Sequence, residues 1–450
     1  MARIRQTNGL KDKGLRRSVG YNEAMQRIYD LQAVGMKLGL TNIRRLLNRL
    51  GNPQEQFATV LVAGTNGKGI ITSSLSAVLR ESGHKTGMFT SPHLIRFTER
   101  VRVDNTEISQ KDLIRHSDRI WRELEMIQSA GESGSPLPVT FFEFATALAC
   151  LHFAECAVDV AVMEVGLGGR LDATNAIEPV LSVVTQIDYD HEKHLGKSLE
   201  EIAREKAGIF REGVPAIALD GAPEVLESLR RVAGRVGAPL TIVENIAKVR
   251  PDKRTFDLQW YGTWLWGLRA PLPGRHQIGN ASLAAVASLE MRDSGFRISN
   301  DAIRRGLATV RWPGRFERIS KIPLVILDGA HNPSAVRSLV ATLREEKVPE
   351  PIIPVIAVMS DKDPDGMLNE LKGLSDTLVA TCLQHDRSLD AAELAGRAKG
   401  KFAQIHAVSD AVQALTLGRN LAGRTGTVVV TGSLYLVGKI REVIMGPDAP

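Results

Sequence analysis

A glycine-rich turn that carries a lysine lies between a predicted strand and a predicted helix. The turn is GTNGKG at 64–69, preceded by the apolar run 57–64 and followed by a helical pattern at 74–83. Backbone N–H groups of such a turn can hold phosphates, and Lys68 can reach the outer ones. The turn departs from the general phosphate-loop pattern, because Val62 stands at its first glycine and Gly69 replaces the usual Ser or Thr. The alternative interpretation is a glycine-rich connection with a solvated lysine.

The hydroxyl missing after Lys68 has a consequence for metal binding. In phosphate loops that hydroxyl ligates the Mg²⁺ that bridges the phosphates, so other side chains must hold the ion here. Glu164 lies near the end of the predicted strand 158–166, and His191 follows the strand 179–188. Ligands bind at this edge of parallel sheets, and one carboxylate with a hydroxyl or an imidazole is enough for Mg²⁺. The equally weighted alternative is that His191 only hydrogen-bonds a loop.

These side chains must be positioned by an α/β fold. Apolar runs of strand length alternate with stretches of helical period, which is typical of a mostly parallel sheet. Strands are predicted at 57–64, 85–90, 158–166, 179–188 and 214–220, and helices at 74–83, 140–156, 198–210 and 222–237. The segment 254–268 alternates with period two and indicates an antiparallel excursion. Its tryptophans, Trp260, Trp264 and Trp266, are interpreted as packing residues.

A second α/β unit is predicted after the helices at 277–293 and 299–310. Pro313-Gly314 breaks the helical pattern, and apolar runs restart at 323–329, 352–359, 377–383, 402–408 and 426–432. We therefore predict a basic, disordered tail at 1–20 and a central nucleotide-binding domain with a mostly parallel sheet at 21–311. A smaller, Rossmann-like C-terminal domain is predicted at 312–450.

Composition restricts the class of protein and its partners. The net charge is +6, but six basic residues and one acidic residue fall in 1–20, so the rest of the chain is nearly neutral. Nucleic-acid binding through the tail stays a testable alternative, although we expect no nucleic-acid partner. Three cysteines without metal-like spacing indicate free thiols. No apolar run is long enough to span a bilayer, so a cytoplasmic protein without a membrane partner is expected.

Many short strings resemble, in family order, the folylpolyglutamate synthase and dihydrofolate synthase family of the Mur-ligase superfamily. They are GTNGKG at 64–69, TSPHL at 90–94, ERVRV at 99–103, FFEFAT at 141–146, EVGLGGRLDATN at 164–175, DH at 190–191, REKAGIF at 204–210, WPGRFE at 312–317, LDGAHNP at 327–333 and TGS at 431–433. The resemblance runs from about residue 21 to 445 and implies a P-loop-containing Mur-ligase-like central domain with a C-terminal glutamate-ligase domain. The Arg-Leu-Asp form at 170–172 is similar to the bifunctional bacterial enzymes.

The resemblance implies an ATP site between the two domains, with one or two Mg²⁺ ions. The residues implied for ATP are Gly64, Thr65, Asn66, Gly67, Lys68, Gly69, Asn280, Arg315 and Asp328. The implied metal ligands are Ser91, Glu164 and His191. Lys206 matches a lysine that is carbamylated in relatives and helps to place a second metal. Apart from the resemblance, Lys206 would be a helix-surface lysine beside Glu205.

The remaining implied residues concern the acceptor and the chemical step. Those implied for pterin or folate are Gly39, Phe142, Leu171, Asp172 and Ala173, and the implied catalytic residues are Lys68, Lys206 and His331. His331 would lie close to the reacting phosphate and the incoming glutamate. The chain departs from the family at Ile70, where Ser or Thr is usual, which puts a local phosphate or helix-capping contact in doubt.

The implied activity is an ATP- and Mg²⁺-dependent ligase that adds L-glutamate to dihydropteroate, reduced folates or both through an acyl phosphate. A monomer is the family expectation. One alternative is another Mur-type ligase acting on a peptide precursor, against which Phe142 and Asp172 favour a pterin. The other is a P-loop nucleotide-binding regulatory protein, against which a complete second α/β domain argues.

Overall fold

The computed structural model describes residues 20–35, 37–129, 138–243, 248–252 and 254–446. The predicted tail therefore lies outside the described residues, apart from Gly20. Among the described helices, none is long and apolar enough to cross a membrane.

The larger sheet has eight strands and lies at the centre of the first 243 residues. Its strands, in spatial order, are Thr106–Glu107, Val101–Val103, Thr86–Phe89, Val160–Glu164, Ala58–Ala63, Leu181–Val184, Ala216–Ala218 and Leu240–Ile242. At one edge, Val101–Val103 pairs antiparallel with both of its neighbours, Thr106–Glu107 and Thr86–Phe89. The last six strands pair with one another in parallel. Successive residues of Ala58–Ala63 face opposite apolar cores, so both faces of the sheet are buried.

Helices cover both faces of this sheet. Within the described residues up to 309, the helices are Tyr21–Asp30, Thr41–Arg49, Lys68–Glu81, Gln110–Ser129, Phe141–Glu155, Glu192–Leu195, Leu199–Lys206, Pro223–Val236, Arg275–Asp293 and Asn300–Thr309. Lys68–Glu81 begins earlier than the predicted 74–83. Residues 70–79 are all buried, so the helix lacks the two-sided pattern that would mark its start.

The predicted antiparallel excursion is a three-stranded sheet. Its strands are Lys248–Asp252, Thr255–Trp260 and Thr263–Arg269. Trp260 is buried as expected, whereas Trp266 is 52% exposed and does not pack in the core. Trp266 instead stacks on Trp264 at the surface, with ring centroids 4.7 Å apart, because alternate residues of the strand point away from the core.

The second α/β unit contains a six-stranded sheet. Its order is Glu317–Lys321, Leu324–Leu327, Thr427–Thr431, Ile352–Ile356, Thr377–Ala380 and Gln404–Ala407, with only the first strand antiparallel. Its helices are Pro333–Glu345, Pro364–Leu371, Ala391–Ala398, Ala411–Ala422 and Leu434–Met445. Two mostly parallel sheets with helices on both faces confirm the predicted α/β fold class. The boundary between residues 311 and 312 stays a prediction.

The two α/β units meet where helix Leu434–Met445 packs on the loop that carries Leu94. A methyl group at Gly438 would overlap the carbonyl oxygen of Leu94. We expect Gly438→Ala to destabilise the protein by about 1–3 kcal/mol, because backbone at this contact cannot yield as a side chain would. The midpoint of thermal unfolding measures this.

Gly396 provides the matched control for that substitution. It also lies within a helix, Ala391–Ala398, but nothing lies within 4 Å of an added methyl group. Gly396→Ala should be neutral or stabilise by about 0.5–1 kcal/mol. Equal effects of the two substitutions would show that the contact at Leu94 is not tight.

Candidate functional site

The glycine-rich turn is held by close backbone packing. A side chain at Gly64 would overlap the hydroxyl of Thr185, and one at Gly67 would lie 2.8 Å from the amide oxygen of Asn280. Thr185 Oγ1 donates to the carbonyl oxygen of Asn66 at 2.7 Å. Gly67 has φ +88°, a conformation that glycine adopts at little cost, and the helix begins at the next residue. The turn therefore presents backbone N–H groups at a helix N-terminus.

Lys68 folds back over the turn. Its ammonium donates to the carbonyl oxygens of Gly64 at 3.1 Å and Thr65 at 3.2 Å. The alternative of a solvated lysine is therefore wrong, since the side chain is partly buried and bonded to the turn. Ile70 is 5% exposed, and the helix has no side-chain hydrogen bond at its cap. The departure at Ile70 thus leaves the first turn of the helix without a local hydroxyl.

A cavity of about 220 Å³ opens in front of this turn. It is lined from both α/β units, and it contains every residue predicted for ATP, metal and catalysis. These are Gly64, Thr65, Asn66, Gly67, Lys68, Gly69, Ser91, Glu164, Lys206, His191, Asn280, Arg315, Asp328 and His331. The structure thus brings together residues that lie up to 267 positions apart in the sequence. Their individual roles stay predictions.

Glu164 is a buried carboxylate at the floor of the cavity. It is 4% exposed, and the backbone N–H of Ser91 donates to its Oε2 at 3.0 Å. Burial raises the pKa of Glu164, against the attraction of Lys68. A buried carboxylate next to a hydroxyl suits a divalent cation, which would compensate its charge.

His191 contacts a lysine of the smaller sheet's unit. Its Nε2 lies 3.3 Å from the ammonium of Lys362, and the ring lies beside Asp190. Burial, with Lys362, lowers the pKa of His191 to about 4, so the imidazole is neutral. Neutral imidazole is the form that binds metals. Among the described residues there is no group of three or more His, Cys, Asp and Glu side chains that could hold a metal ion. The predicted ligand set contains only two such side chains, Glu164 and His191, because its third member is Ser91.

Lys206 is buried, which corrects the expectation of a helix-surface lysine. It is 4% exposed, and its ammonium donates to the carbonyl oxygen of Gly64 at 2.8 Å. The chain at Gly169 packs directly on the backbone of Lys206 and Glu205 and covers this part of the helix. Burial, reinforced by Lys68, lowers the pKa of Lys206 from 10.5 to about 7. The lowered pKa leaves part of the Lys206 amine neutral near pH 7, close to the glycine-rich turn.

Asp328 and His331 enter the cavity from the loop after strand Leu324–Leu327. Asp328 accepts backbone hydrogen bonds from Phe316 at 2.8 Å and Ala330 at 2.9 Å, and burial raises its pKa. His331 Nδ1 donates to the carbonyl oxygen of Gly329 at 2.8 Å, which leaves Nε2 as an acceptor. Burial and then Lys362 lower the pKa of His331 to about 4. The imidazole is thus neutral and can accept a proton.

The residues predicted for pterin do not line this cavity. Phe142 adjoins it by packing against Gly166, which is one of the lining residues. Asp172 accepts hydrogen bonds from Leu167 N, Thr174 N and Thr174 Oγ1, so its carboxylate organises its own loop. The remaining members of this predicted set are Gly39, Leu171 and Ala173, and their contact with an acceptor stays a prediction.

Polar residues around the turn were missed by the sequence analysis. Lys362 pairs with Asp190, and Asn332 donates to Asn66 Oδ1 at 3.0 Å. Arg100 is 6% exposed and donates to His93 at 2.8 Å, while among the described residues no carboxylate lies within ion-pair distance. Asp190 and Arg100 lie within strings quoted above. Lys362 follows a predicted strand, so the rule that ligands bind at the carboxyl edge of a sheet could have found it.

Comparisons with known proteins agree with this arrangement. Residues 62–288 match the Mur ligase middle domain, and residues 314–434 match the Mur ligase glutamate ligase domain. A dihydrofolate synthase/folylpolyglutamate synthase of Bacillus subtilis is 33% identical, over 94% of this chain and 98% of the relative.

Solved structures extend the likeness to three dimensions. Escherichia coli FolC in complex with DHPP and ADP has a TM-score of 0.83 and 33% identity, covering 94% of this chain and 97% of that one. A bifunctional folylpolyglutamate synthase/dihydrofolate synthase of Yersinia pestis, complexed with AMPPNP and a Mn ion, has a TM-score of 0.82 and 33% identity, covering 94% and 98%. Sequence, fold and cavity agree, and the chain belongs to the dihydrofolate synthase/folylpolyglutamate synthase family of Mur ligases.

Proposed function

We propose that the protein is an ATP-dependent ligase that adds L-glutamate to dihydropteroate, to reduced folates or to both. The observation that carries this proposal is the shared cavity, in which the phosphate-binding turn faces Arg315, Asp328 and His331 from the other α/β unit. Family membership supplies the substrate class, and the nucleotides bound by relatives support ATP as the co-substrate.

The reaction has two steps that these residues can assist. A carboxylate oxygen of the acceptor attacks the γ-phosphorus of ATP, and ADP leaves with the electron pair of the broken P–O bond. The amine of glutamate then attacks the acyl carbon, and phosphate leaves from the tetrahedral intermediate. Phosphoryl transfer mainly requires positioning and neutralised charge, which Lys68, Arg315 and the N–H groups of the turn supply.

His331 is suited to the second step. The attacking amine must lose a proton, and the neutral imidazole of His331 carries its free lone pair on Nε2. Asp328 fixes the loop that carries His331, because it accepts the backbone N–H of Ala330. We therefore assign proton acceptance to His331 and positioning to Asp328.

A divalent cation fits the donor set of Ser91, Glu164 and His191. Held by these residues, such an ion would supply positive charge that offsets the negative charge of the phosphates. Burial raises the pKa of Glu164, so a cation would favour its charged form, and the neutral imidazole of His191 can serve as a ligand.

Lys206 is proposed to carry a carbamate. Its amine is partly neutral near pH 7, so it can attack carbon dioxide; an N–C bond forms and a proton is released. The product keeps an N–H for the carbonyl oxygen of Gly64 and gains a negative charge beside Lys68. That charge would offset nearby cations and offer oxygen ligands for a second metal ion.

The acceptor is proposed to lie beside Phe142 and the loop Leu171-Asp172-Ala173, with Gly39 near its pterin end. Phe142 supports this placement because its ring borders the wall of the cavity at Gly166. A monomer that needs neither nucleic acid nor membrane remains our expectation for the working enzyme.

The proposed activity predicts a stoichiometric product. Purified protein with ATP, Mg²⁺, L-glutamate and either dihydropteroate or tetrahydrofolate should release one ADP and one phosphate per glutamylated product. Parallel assays of the two acceptors show whether both reactions occur. The activity is refuted if neither acceptor is glutamylated, or if ADP forms equally well without glutamate.

The carbamate predicts a specific chemical rescue. Lys206→Ala should lose about 10- to 100-fold in kcat, because a charge that orders the metal and phosphates is gone. Acetate or formate should restore part of it. Lys197→Ala, at an exposed lysine nine positions before the buried one, is the control and should stay active. An active enzyme whose intact mass shows no added carbon dioxide on Lys206 would exclude the modification.

Burial of Lys206 also predicts a pH dependence of stability. With its pKa lowered from 10.5 to about 7 on folding, the unfolded chain binds more protons between these values. The free energy of unfolding should therefore rise with pH in this window, and Lys206→Met should lack that rise. In bicarbonate-free buffer, wild type should gain Tm relative to Lys206→Met as pH increases from about 7. Parallel Tm profiles of the two proteins would contradict a buried amine.

A further inference from the structure

A buried ion pair joins the two α/β units at the wall of the cavity, which Asp190 lines. Lys362 Nζ donates to Asp190 Oδ1 at 2.6 Å, and both side chains are only 8% exposed. Asp190 follows strand Leu181–Val184 of the larger sheet, whereas Lys362 follows strand Ile352–Ile356 of the smaller one. The pair thus connects the carboxyl edges of both sheets across 172 residues of sequence.

Asn332 extends this contact to the phosphate-binding turn. Its side-chain oxygen accepts the N–H of Ala335 and caps helix Pro333–Glu345, which fixes the direction of its amide nitrogen. That nitrogen donates to Asn66 Oδ1 at 3.0 Å and lies 3.5 Å from Asp190 Oδ2. Asn332 therefore links the positions of the turn, of helix Pro333–Glu345 and of the ion pair.

Asp190 is the anion around which one cation and two imidazoles are arranged. Lys362 is its bonded partner, and His331 Nε2 and His191 Nε2 lie 3.7 and 3.9 Å from its carboxylate. Lys362 does not line the cavity, so it can act on a bound nucleotide only through its neighbours. Removing one partner of such a pair leaves a buried charge uncompensated, which costs more than removing both.

We propose that Asp190 and Lys362 are positioning residues that lock the smaller sheet onto the phosphate-binding turn. Their ion pair holds Asn332 on Asn66 and keeps His331 over the cavity. The lock itself is independent of the reaction, while its effect on turnover rests on the proposed function.

A double-mutant cycle tests this lock. Asp190→Asn, Lys362→Met and the double variant are compared for AMPPNP affinity by calorimetry and for kcat and KM of ATP. Each single variant should weaken AMPPNP binding about tenfold, and the double variant should be weakened about tenfold less than the product of the two effects. Lys362→Arg, which keeps the charge, should stay closer to wild type than Lys362→Met.

The control breaks a different ion pair between the same units. Arg275 pairs with Glu345 at 3.0 Å, but Arg275 is 89% exposed, and such pairs contribute little. Glu345→Gln should leave AMPPNP affinity within about twofold of wild type. Effects that multiply in the double variant, or a Lys362→Met protein that binds AMPPNP like wild type, would overturn the lock.

Amide hydrogen exchange separates loss of the lock from unfolding. In the single variants the turn 64–69 and the start of helix Pro333–Glu345 should exchange faster, while strand Ala58–Ala63 stays protected. Faster exchange in the strand and turn alike would make the pair a general stability element and refute a local role. Because AMPPNP binding and exchange need no acceptor, absent ligase activity in wild type would refute only the proposed function.

Discussion

The close packing of the glycine-rich turn is the constraint on which the site depends. Gly64 lies against Thr185 and Gly67 against Asn280, with no room for a side chain at either position. This packing fixes the position of the carbonyl oxygen of Gly64, to which both Lys68 and Lys206 donate hydrogen bonds. It also fixes the position of Asn66, which accepts a hydrogen bond from Asn332 of the second α/β unit. The proposed phosphate site, the buried Lys206 and the contact between sheets thus share one short backbone segment.

Charge burial around the turn explains why the site needs its ligands. Glu164 is a buried carboxylate and Asp328 a partly buried one, while Lys68 and Arg315 supply positive charge at the same cavity. Such groups are costly to bury unless charges and hydrogen bonds compensate them. A nucleotide with a divalent cation would bring both signs of charge, and a carbamate on Lys206 would add the anion that its cationic neighbours favour. Binding and catalysis would therefore use the same electrostatic arrangement.

The sequence was informative where local rules act. A strand followed by glycines predicted the phosphate-binding turn, and the sheet-edge rule placed Glu164 and His191 in one cavity. The burial of Lys206 could not be predicted, because its helix has charged residues on both sides and is covered by a distant glycine, Gly169. Lys362 follows a predicted strand, so the sheet-edge rule could have indicated it, but its pairing with Asp190 joins remote positions and could not be predicted. The start of helix Lys68–Glu81 could not be predicted, because residues 70–79 are all buried and show no two-sided pattern.

Both α/β units are proposed to bind the same phosphates. A crystal structure of the protein with AMPPNP and Mg²⁺ tests this most directly. We predict that the γ-phosphate lies within hydrogen-bonding distance of both Lys68 and Arg315, with the metal ion on Glu164. Phosphates that contact the glycine-rich turn alone, with Arg315 and Asp328 directed away from the nucleotide, would contradict it.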